Sequence, residues 1–180
     1  MNTIEPIIIT ERTYLRQLNE CDAAHFFLLN SDPEVLQYTG DKAFDSLEES
    51  AGFLRNYRQY ELFGCGRWAV ISKVDDAFLG WCGLRFAPES MEYDLGFRFF
   101  KKYWNQGFAS ETGTAVLKYG FDTFPLDTII GRVAKANKGS IRVLEKIGFK
   151  YAQSTFLHGE EALLYTFSRE EWNKRTGTAI

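Results

Sequence analysis

Residues 94–111 read Asp94-Leu95-Gly96-Phe97-Arg98-Phe99-Phe100-Lys101-Lys102-Tyr103-Trp104-Asn105-Gln106-Gly107-Phe108-Ala109-Ser110-Glu111: a strand, a turn and the start of a helix. Small residues at a helix mouth, here Gly107 and Ala109, let backbone N–H groups approach an anion. The helix dipole adds roughly half a positive charge at that point. Gln106, Gly107, Phe108, Ala109 and Ser110 therefore make a candidate phosphate or pyrophosphate cradle. An ordinary strand-to-helix turn, with Gly107 used for its backbone freedom, is the alternative. No Gly-Lys-Ser/Thr follows, so the segment is not a Walker loop. A second pattern, Gly64-Cys65-Gly66-Arg67-Trp68-Ala69, superficially matches a dinucleotide fingerprint. Its context is reversed, with a helix before it and a strand after it.

Outward from this segment, Thr13–Leu18 alternates as a first strand. Asn19 and Asp22 then resemble an N-cap opening a helix that ends near Asn30. Ser46 and Glu49 form a capping box, predicting a helix toward Phe63 with Leu47, Ala51, Leu54 and Tyr57 on one face. Arg67–Ser72, Phe78–Phe86 and Met91–Phe100 read as consecutive strands, joined by turns at Asp75-Asp76 and Pro88-Glu89-Ser90. A helix follows over 107–123, stopped by Pro125, then a strand over Asp127–Val133 and a short helix over Lys138–Ile147 closed by Gly148. Lys150–Leu157 and Glu161–Ser168 would form a hairpin across His158-Gly159. This order predicts an α/β (α+β) chain: a mixed, mostly antiparallel sheet with helices on both faces, built as one domain over 1–180.

Composition limits the partners. Of 180 residues, 45% are hydrophobic and 25% charged, ordinary values for a globular protein. A net charge of -3, with no Lys/Arg-rich stretch, offers nothing to a polyanion, so no nucleic acid partner is expected. Cys21, Cys65 and Cys82 form neither a paired framework nor a C-x-x-C, and with two histidines no metal site is expected. With no signal-peptide pattern and no apolar run of bilayer length, a cytoplasmic protein with no membrane partner is expected, as monomer or homodimer. His25 and His158 read as a packing residue and a turn residue.

A third segment, Asn137-Lys138-Gly139-Ser140-Ile141-Arg142-Val143-Leu144-Glu145-Lys146-Ile147-Gly148-Phe149, is a short amphipathic helix with Asn137 near its start. Together with residues 94–111, about 30 residues upstream, it resembles the two acetyl-CoA motifs of the GNAT superfamily of N-acetyltransferases. The opening Ile9-Thr10-Glu11-Arg12-Thr13-Tyr14-Leu15-Arg16, with Asp22 and Ser31-Asp32-Pro33-Glu34-Val35, resembles the RimJ/RimL-like branch, which acetylates ribosomal-protein N-termini. The likeness covers nearly the whole chain. It implies a cleft where the parallel strands Asp94–Phe100 and Asp127–Val133 splay. The pantetheine arm of acetyl-CoA would pair with the backbone near Phe97 and Phe99, Gln106–Ser110 would hold the pyrophosphate, and Asn137 would bond to the cofactor arm. Two positions depart from the pattern. Trp104 replaces the usual Gln or Arg, leaving the phosphates to backbone N–H groups and Asn105. Leu144 replaces a tyrosine that protonates the leaving thiolate, and Ser140 is the nearest hydroxyl, although it could instead cap its own helix.

Acetyl transfer needs a neutral amine and a donor for the developing oxyanion, here a backbone N–H near Phe97. Asp94 and Glu92 are the candidate bases on the cleft strand, on one face because strand periodicity is two. An ordinary aspartate titrates near 3.9, so a water relay is the more plausible route. A peptide α-amine, with a pKa of about 7.7 to 8.0, pays roughly 1.4 kcal/mol to lose its proton at pH 7, a lysine-type amine roughly 4.6 kcal/mol. The expected acceptor is accordingly an N-terminal α-amine. The alternatives are a small-molecule amine such as a polyamine or antibiotic, and an acyl-CoA-binding module without turnover.

Overall fold

The structure, a computed structural model, describes residues 5–177. Its eight strands are β1 (Ile8–Ile9), β2 (Thr13–Gln17), β3 (Arg67–Ser72), β4 (Phe78–Ala87), β5 (Glu92–Phe99), β6 (Thr128–Ala134), β7 (Lys150–Leu157) and β8 (Glu160–Ser168). They form one sheet in the order β1-β2-β3-β4-β5-β6-β8-β7. Every neighbouring pair is antiparallel except β5 and β6, which run parallel. The crossover that a parallel pair requires is α5 (Phe108–Thr123). This is the mixed, mostly antiparallel sheet with one parallel pair that the sequence predicts.

Both faces of the sheet are covered. On α5 the buried positions Thr112, Gly113, Val116, Leu117, Gly120 and Phe121 repeat at helical spacing and form one stripe. That stripe packs with Ile141, Leu144 and Ile147 of α6 (Lys138–Ile147) over Cys82, Leu84, Leu95, Phe99, Ile129 and Val133. The opposite face buries Ala69, Ile71 and Phe78 beneath Phe26 and Leu29 of α1 (Ala23–Leu29) and Leu54 of α3 (Leu47–Arg55).

Several sequence expectations need correction. Asn19 does cap the chain after β2, but Glu20–Asp22 is a 3-10 turn before α1 begins. The long helix expected from Ser46 to Phe63 is two helices, α3 and α4 (Gln59–Phe63). Asn56 ends the first by donating both its backbone N–H and its Nδ2 to the Gly52 carbonyl. The break turns Tyr57 and Tyr60 onto the start of β3. There the Tyr57 hydroxyl accepts the Arg67 N–H at 2.8 Å and the Tyr60 hydroxyl donates to the Arg67 carbonyl. Two helices were not anticipated: α2 (Pro33–Leu36) and α7 (Arg169–Thr176). The latter has no apolar stripe, only Trp172 being buried, yet its Ser168/Glu171 capping box is complete. His25, read as a packing residue, is exposed, and its ring stacks on Phe78 at 5.4 Å.

The packing makes a prediction about the thiols. Burial pushes the Cys65 thiol up and the Cys82 thiol up to about 12, whereas Cys21 is exposed. Because the thiolate is the reactive form, a thiol reagent should modify only Cys21 in the native protein and all three residues after unfolding. A second fast-reacting thiol in a native titration would contradict this core.

Candidate active site and cofactor cradle

The parallel pair β5 and β6 is joined only at Tyr93 with Ile129 and Asp94 with Ile130. Beyond that point β5 stays with β4 as far as Phe99, and β6 stays with β8 as far as Ala134. The two strands part, and the free edge of β5 is exposed to a cleft. Phe100 donates its N–H to Leu79 on β4 at 3.1 Å, so strand alternation turns the backbone groups of Leu95, Phe97 and Phe99 away from β4, toward the gap. The Phe99 carbonyl is already occupied by the Trp104 indole N–H at 2.8 Å and Leu95 borders the Asp94–Ile130 pair, which leaves the Phe97 groups open.

The cleft encloses about 1020 Å³ and runs from Asn137, Ser140 and Leu144 on the α6 side to Phe44, Phe53 and Tyr57 beneath α3. Its floor is built around Arg67. The guanidinium donates to the Gly83 carbonyl at 2.6 Å, the Asp94 carbonyl at 2.7 Å and the Asp94 carboxylate at 2.5 Å. It lies flat against Gly96, where a Cβ would fall 2.5 Å from its Cζ, so only glycine admits this contact. Arg67 and Arg98 both lie over the Trp81 ring, at 5.4 and 5.3 Å. The indole N–H of Trp81 is the one buried side-chain polar atom without a hydrogen-bond partner among the described residues. Arg98 reaches Asn30 and, at 2.6 Å, Asp41, which ties β5 to the segment before α3. The His158 ring of the β7–β8 turn lies against Gly40 in that same segment, bridging the mouth of the cleft.

The candidate residues fall into three places. Asp94, Phe97, Asn137 and Ser140 line the cleft; Glu92 does not. Glu92 pairs with Arg132 at 2.5 Å, and the Ser90 hydroxyl together with this guanidinium holds its carboxyl below the usual range. Asn137 is the N-cap of α6, its Oδ1 accepting the Ser140 N–H at 3.0 Å. The cap is thus made by Asn137, while the Ser140 hydroxyl has no partner among the described residues. Leu144 is buried against Gly131.

Asn105, Gln106, Gly107, Phe108, Ala109 and Ser110 form the mouth of α5, outside the cleft lining. Gly107 is the N-cap with φ +84°, and no side chain caps the helix. The helix's first backbone bond is Glu111 N–H to the Gly107 carbonyl, so the N–H groups of Phe108, Ala109 and Ser110 remain free. By contrast α3, α6 and α7 are capped by Ser46, Asn137 and Ser168. Free N–H groups at a helix mouth beside a glycine fit a phosphate-bearing ligand.

The geometry of a parted parallel pair, with an uncapped crossover helix beside it, has a counterpart in known proteins. Residues 12–150 match the model of the acetyltransferase (GNAT) domain. This chain belongs to the GNAT family of acetyltransferases. The uncharacterized N-acetyltransferase YoaA of Bacillus subtilis is 30% identical over 147 residues, covering 81% of this chain and 83% of YoaA. The crystal structure of a GNAT-family acetyltransferase from Bacillus anthracis superposes with a TM-score of 0.79 at 28% identity, covering 91% of this chain and 99% of that one. RimL, a ribosomal L7/L12 α-N-protein acetyltransferase in complex with CoA, shares the fold at TM-score 0.76 and 14% identity, over 93% and 99% of the two chains. Spermidine N-acetyltransferase from Vibrio cholerae, in complex with CoA and spermine, does so at 0.74 and 18%, over 89% and 98%. Like its family, this GNAT protein is an acetyl-CoA-dependent acetyltransferase. Among the described residues no group of three or more His, Cys, Asp or Glu could hold a metal ion, and no helix is long and apolar enough to cross a membrane.

Sequence reasoning missed Arg67, whose separation of 27 residues from Asp94 carries no local pattern. It also missed Glu111, which accepts from the Thr10 hydroxyl at 2.6 Å, the Arg12 N–H at 2.9 Å and Arg12 Nε at 2.6 Å.

Two predictions follow from this geometry. Burial pushes the Glu111 carboxyl up, but the Thr10 and Arg12 bonds outweigh it and the net shift is downward. Its contribution to stability is therefore full above the ordinary carboxylate pKa of about 4.3 and is lost as pH falls through the lower folded value. Glu111→Gln should lower the melting temperature at pH 7 and narrow the gap to wild type below pH 4; a constant gap would refute the linkage. Asn137→Ala should cost about 1 kcal/mol as a lost cap, while Asn137→Ser, an equivalent cap, should be nearly neutral in chemical denaturation. Equal losses in both variants would show that the cap does not matter.

Proposed function

We propose that the protein is a RimJ/RimL-like N-acetyltransferase that acetylates the N-terminal α-amine of a peptide or protein. The observation that carries this reading is the charge of the acceptor side. The cleft is lined by Arg58, Arg67, Arg85, Arg98 and Arg132 against Asp41, Glu49 and Asp94. Arg58, Arg67, Arg98 and Arg132 are ion-paired with Glu61, Asp94, Asp41 and Glu92, so the lining carries no excess of acids to hold a polycation and suits an amine that brings a single charge.

Acetyl-CoA supplies an activated acetyl thioester. Cofactor binding is assigned to the chain as follows: the free N–H groups of Phe108, Ala109 and Ser110, with Asn105, Gln106 and Gly107, hold the pyrophosphate, and the backbone of Phe97 pairs with the pantetheine arm. The Asn137 Nδ2, which the cap leaves free, donates to that arm. A backbone N–H near Phe97 faces the acetyl oxygen as it gains charge. Asp94 receives the amine proton through water, using the Oδ1 that Arg67 leaves unoccupied. Because an α-amine loses its proton at small cost, a carboxylate held by an arginine suffices as the final acceptor. The Ser140 hydroxyl, unpartnered at the cleft wall, is assigned to the departing thiolate.

A panel of acceptors, followed by release of CoA thiol, tests the proposal. Peptides with a free N-terminus should outperform spermidine, aminoglycosides and ε-amines. A polyamine reacting far better than any N-terminal peptide would overturn the acceptor, and acetyl-CoA binding with no thiol release from any amine would overturn turnover. Asn137→Ser, expected to keep the cap, should raise KM for acetyl-CoA severalfold; an unchanged KM would remove Asn137 from the cofactor site.

A further inference from the structure

We propose that Arg12, from the turn between β1 and β2, binds the diphosphate of the acetyl donor at the mouth of α5. The inference rests on the assignment of that mouth to acetyl-CoA.

Trp104, which occupies the position where a polar or cationic side chain would face the loop, is turned away: its indole N–H is committed to the Phe99 carbonyl. The nearby lysines are engaged elsewhere. Lys101 pairs with Glu34 at 2.5 Å, and the Lys102 ammonium lies over the Tyr103 ring at 4.8 Å. Arg12 reaches the same place from 94 residues upstream. Its Nη1 donates to the Gln106 carbonyl at 2.9 Å and its Nε to Glu111 at 2.6 Å. Its guanidinium carbon lies 4.2 Å from the centre of the Phe108 ring. These contacts hold the planar group on three sides. The remaining nitrogen, Nη2, has no hydrogen-bond partner among the described residues, and a Cβ on Gly107 would lie 3.4 Å from it. Nη2 therefore sits over the glycine that precedes the free N–H groups of Phe108, Ala109 and Ser110.

Glu111, in the first turn of α5, offsets part of this charge, but neither of its oxygens faces the cradle. Both its oxygens are used on the side of the β1–β2 turn, by Thr10, the Arg12 N–H and Arg12 Nε. The carboxylate fixes the fork, and the fork presents its outer edge to the anion. A guanidinium held in this way loses little conformational freedom on binding, and it matches phosphate oxygens that a lysine would meet only as a point charge.

The test compares two donors, acetyl-CoA and S-acetyl-pantetheine, which carries the same thioester without the phosphates. In Arg12→Gln, acetyl-CoA affinity by calorimetry should fall about tenfold, the range of one charged hydrogen bond on a partly exposed group. The salt dependence of binding should weaken, and KM for S-acetyl-pantetheine should stay at the wild-type value. Arg12→Lys should recover part of the acetyl-CoA affinity. Equal losses for both donors would reduce Arg12 to a buttress of the loop, and no loss for either would remove it from the site. Wild-type protein that fails to bind acetyl-CoA at all would sink the cofactor assignment itself, a result distinct from either.

Discussion

The site depends on one constraint: β5 and β6 are hydrogen-bonded over two residue pairs and then obliged to separate. Each strand has a stronger claim on its other side. Eight register pairs hold β5 to β4 and seven hold β6 to β8, so the sheet on either side of the gap continues while the middle opens. The open edge leaves N–H and C=O groups of β5 without partners, in a protein interior where such groups are costly unless water or a ligand meets them. An extended amide chain is the natural occupant of an exposed strand edge, which connects the sheet topology directly to the cofactor class.

The floor of the cleft is a second consequence of strand geometry. Arg67, Trp81, Asp94, Gly96 and Arg98 come from three adjacent strands and share one face because side chains alternate. Gly96 leaves room for the Arg67 guanidinium, and Tyr57 and Tyr60 grip the Arg67 peptide from above. Arg67 and Asp94 are both largely shielded from water, with 15% and 13% of their side chains exposed. A pair so enclosed is stable only because the guanidinium also satisfies the Gly83 and Asp94 carbonyls. Neither residue could be exchanged alone without leaving the other charge unmatched.

The helix ends divide the molecule by purpose. Three helices carry Ser or Asn caps at positions where the sequence places them, and these caps satisfy the orphan N–H groups internally. The crossover helix does the opposite: it begins at a glycine and leaves its first N–H groups free, steadied from outside by Thr10 and Arg12, which bond to its own Glu111. Stability foregone at that mouth leaves three N–H groups open, and the N-terminal turn supplies the rigidity that a cap would have given.

Local signals in the sequence determined a large share of this. Alternation marked the strands, and Ser46, Gly107, Asn137 and Gly148 marked helix ends, because each of these rests on a few neighbouring residues. The family likeness added the parted strand pair. What only the tertiary structure decided are the features made by residues far apart in the chain. Asn56 divides a helix so that Tyr57 and Tyr60 can reach Arg67, and α7 folds without an apolar stripe because Trp172 packs against Phe121 and Phe167. Arg67 meets Asp94 across two strand crossings, and Arg12 meets Glu111 across 99 residues. Hydrophobic period and capping act within a turn or two of the backbone, whereas ion pairs and cleft walls depend on which strands become neighbours, and that is settled only when the whole sheet closes around its core.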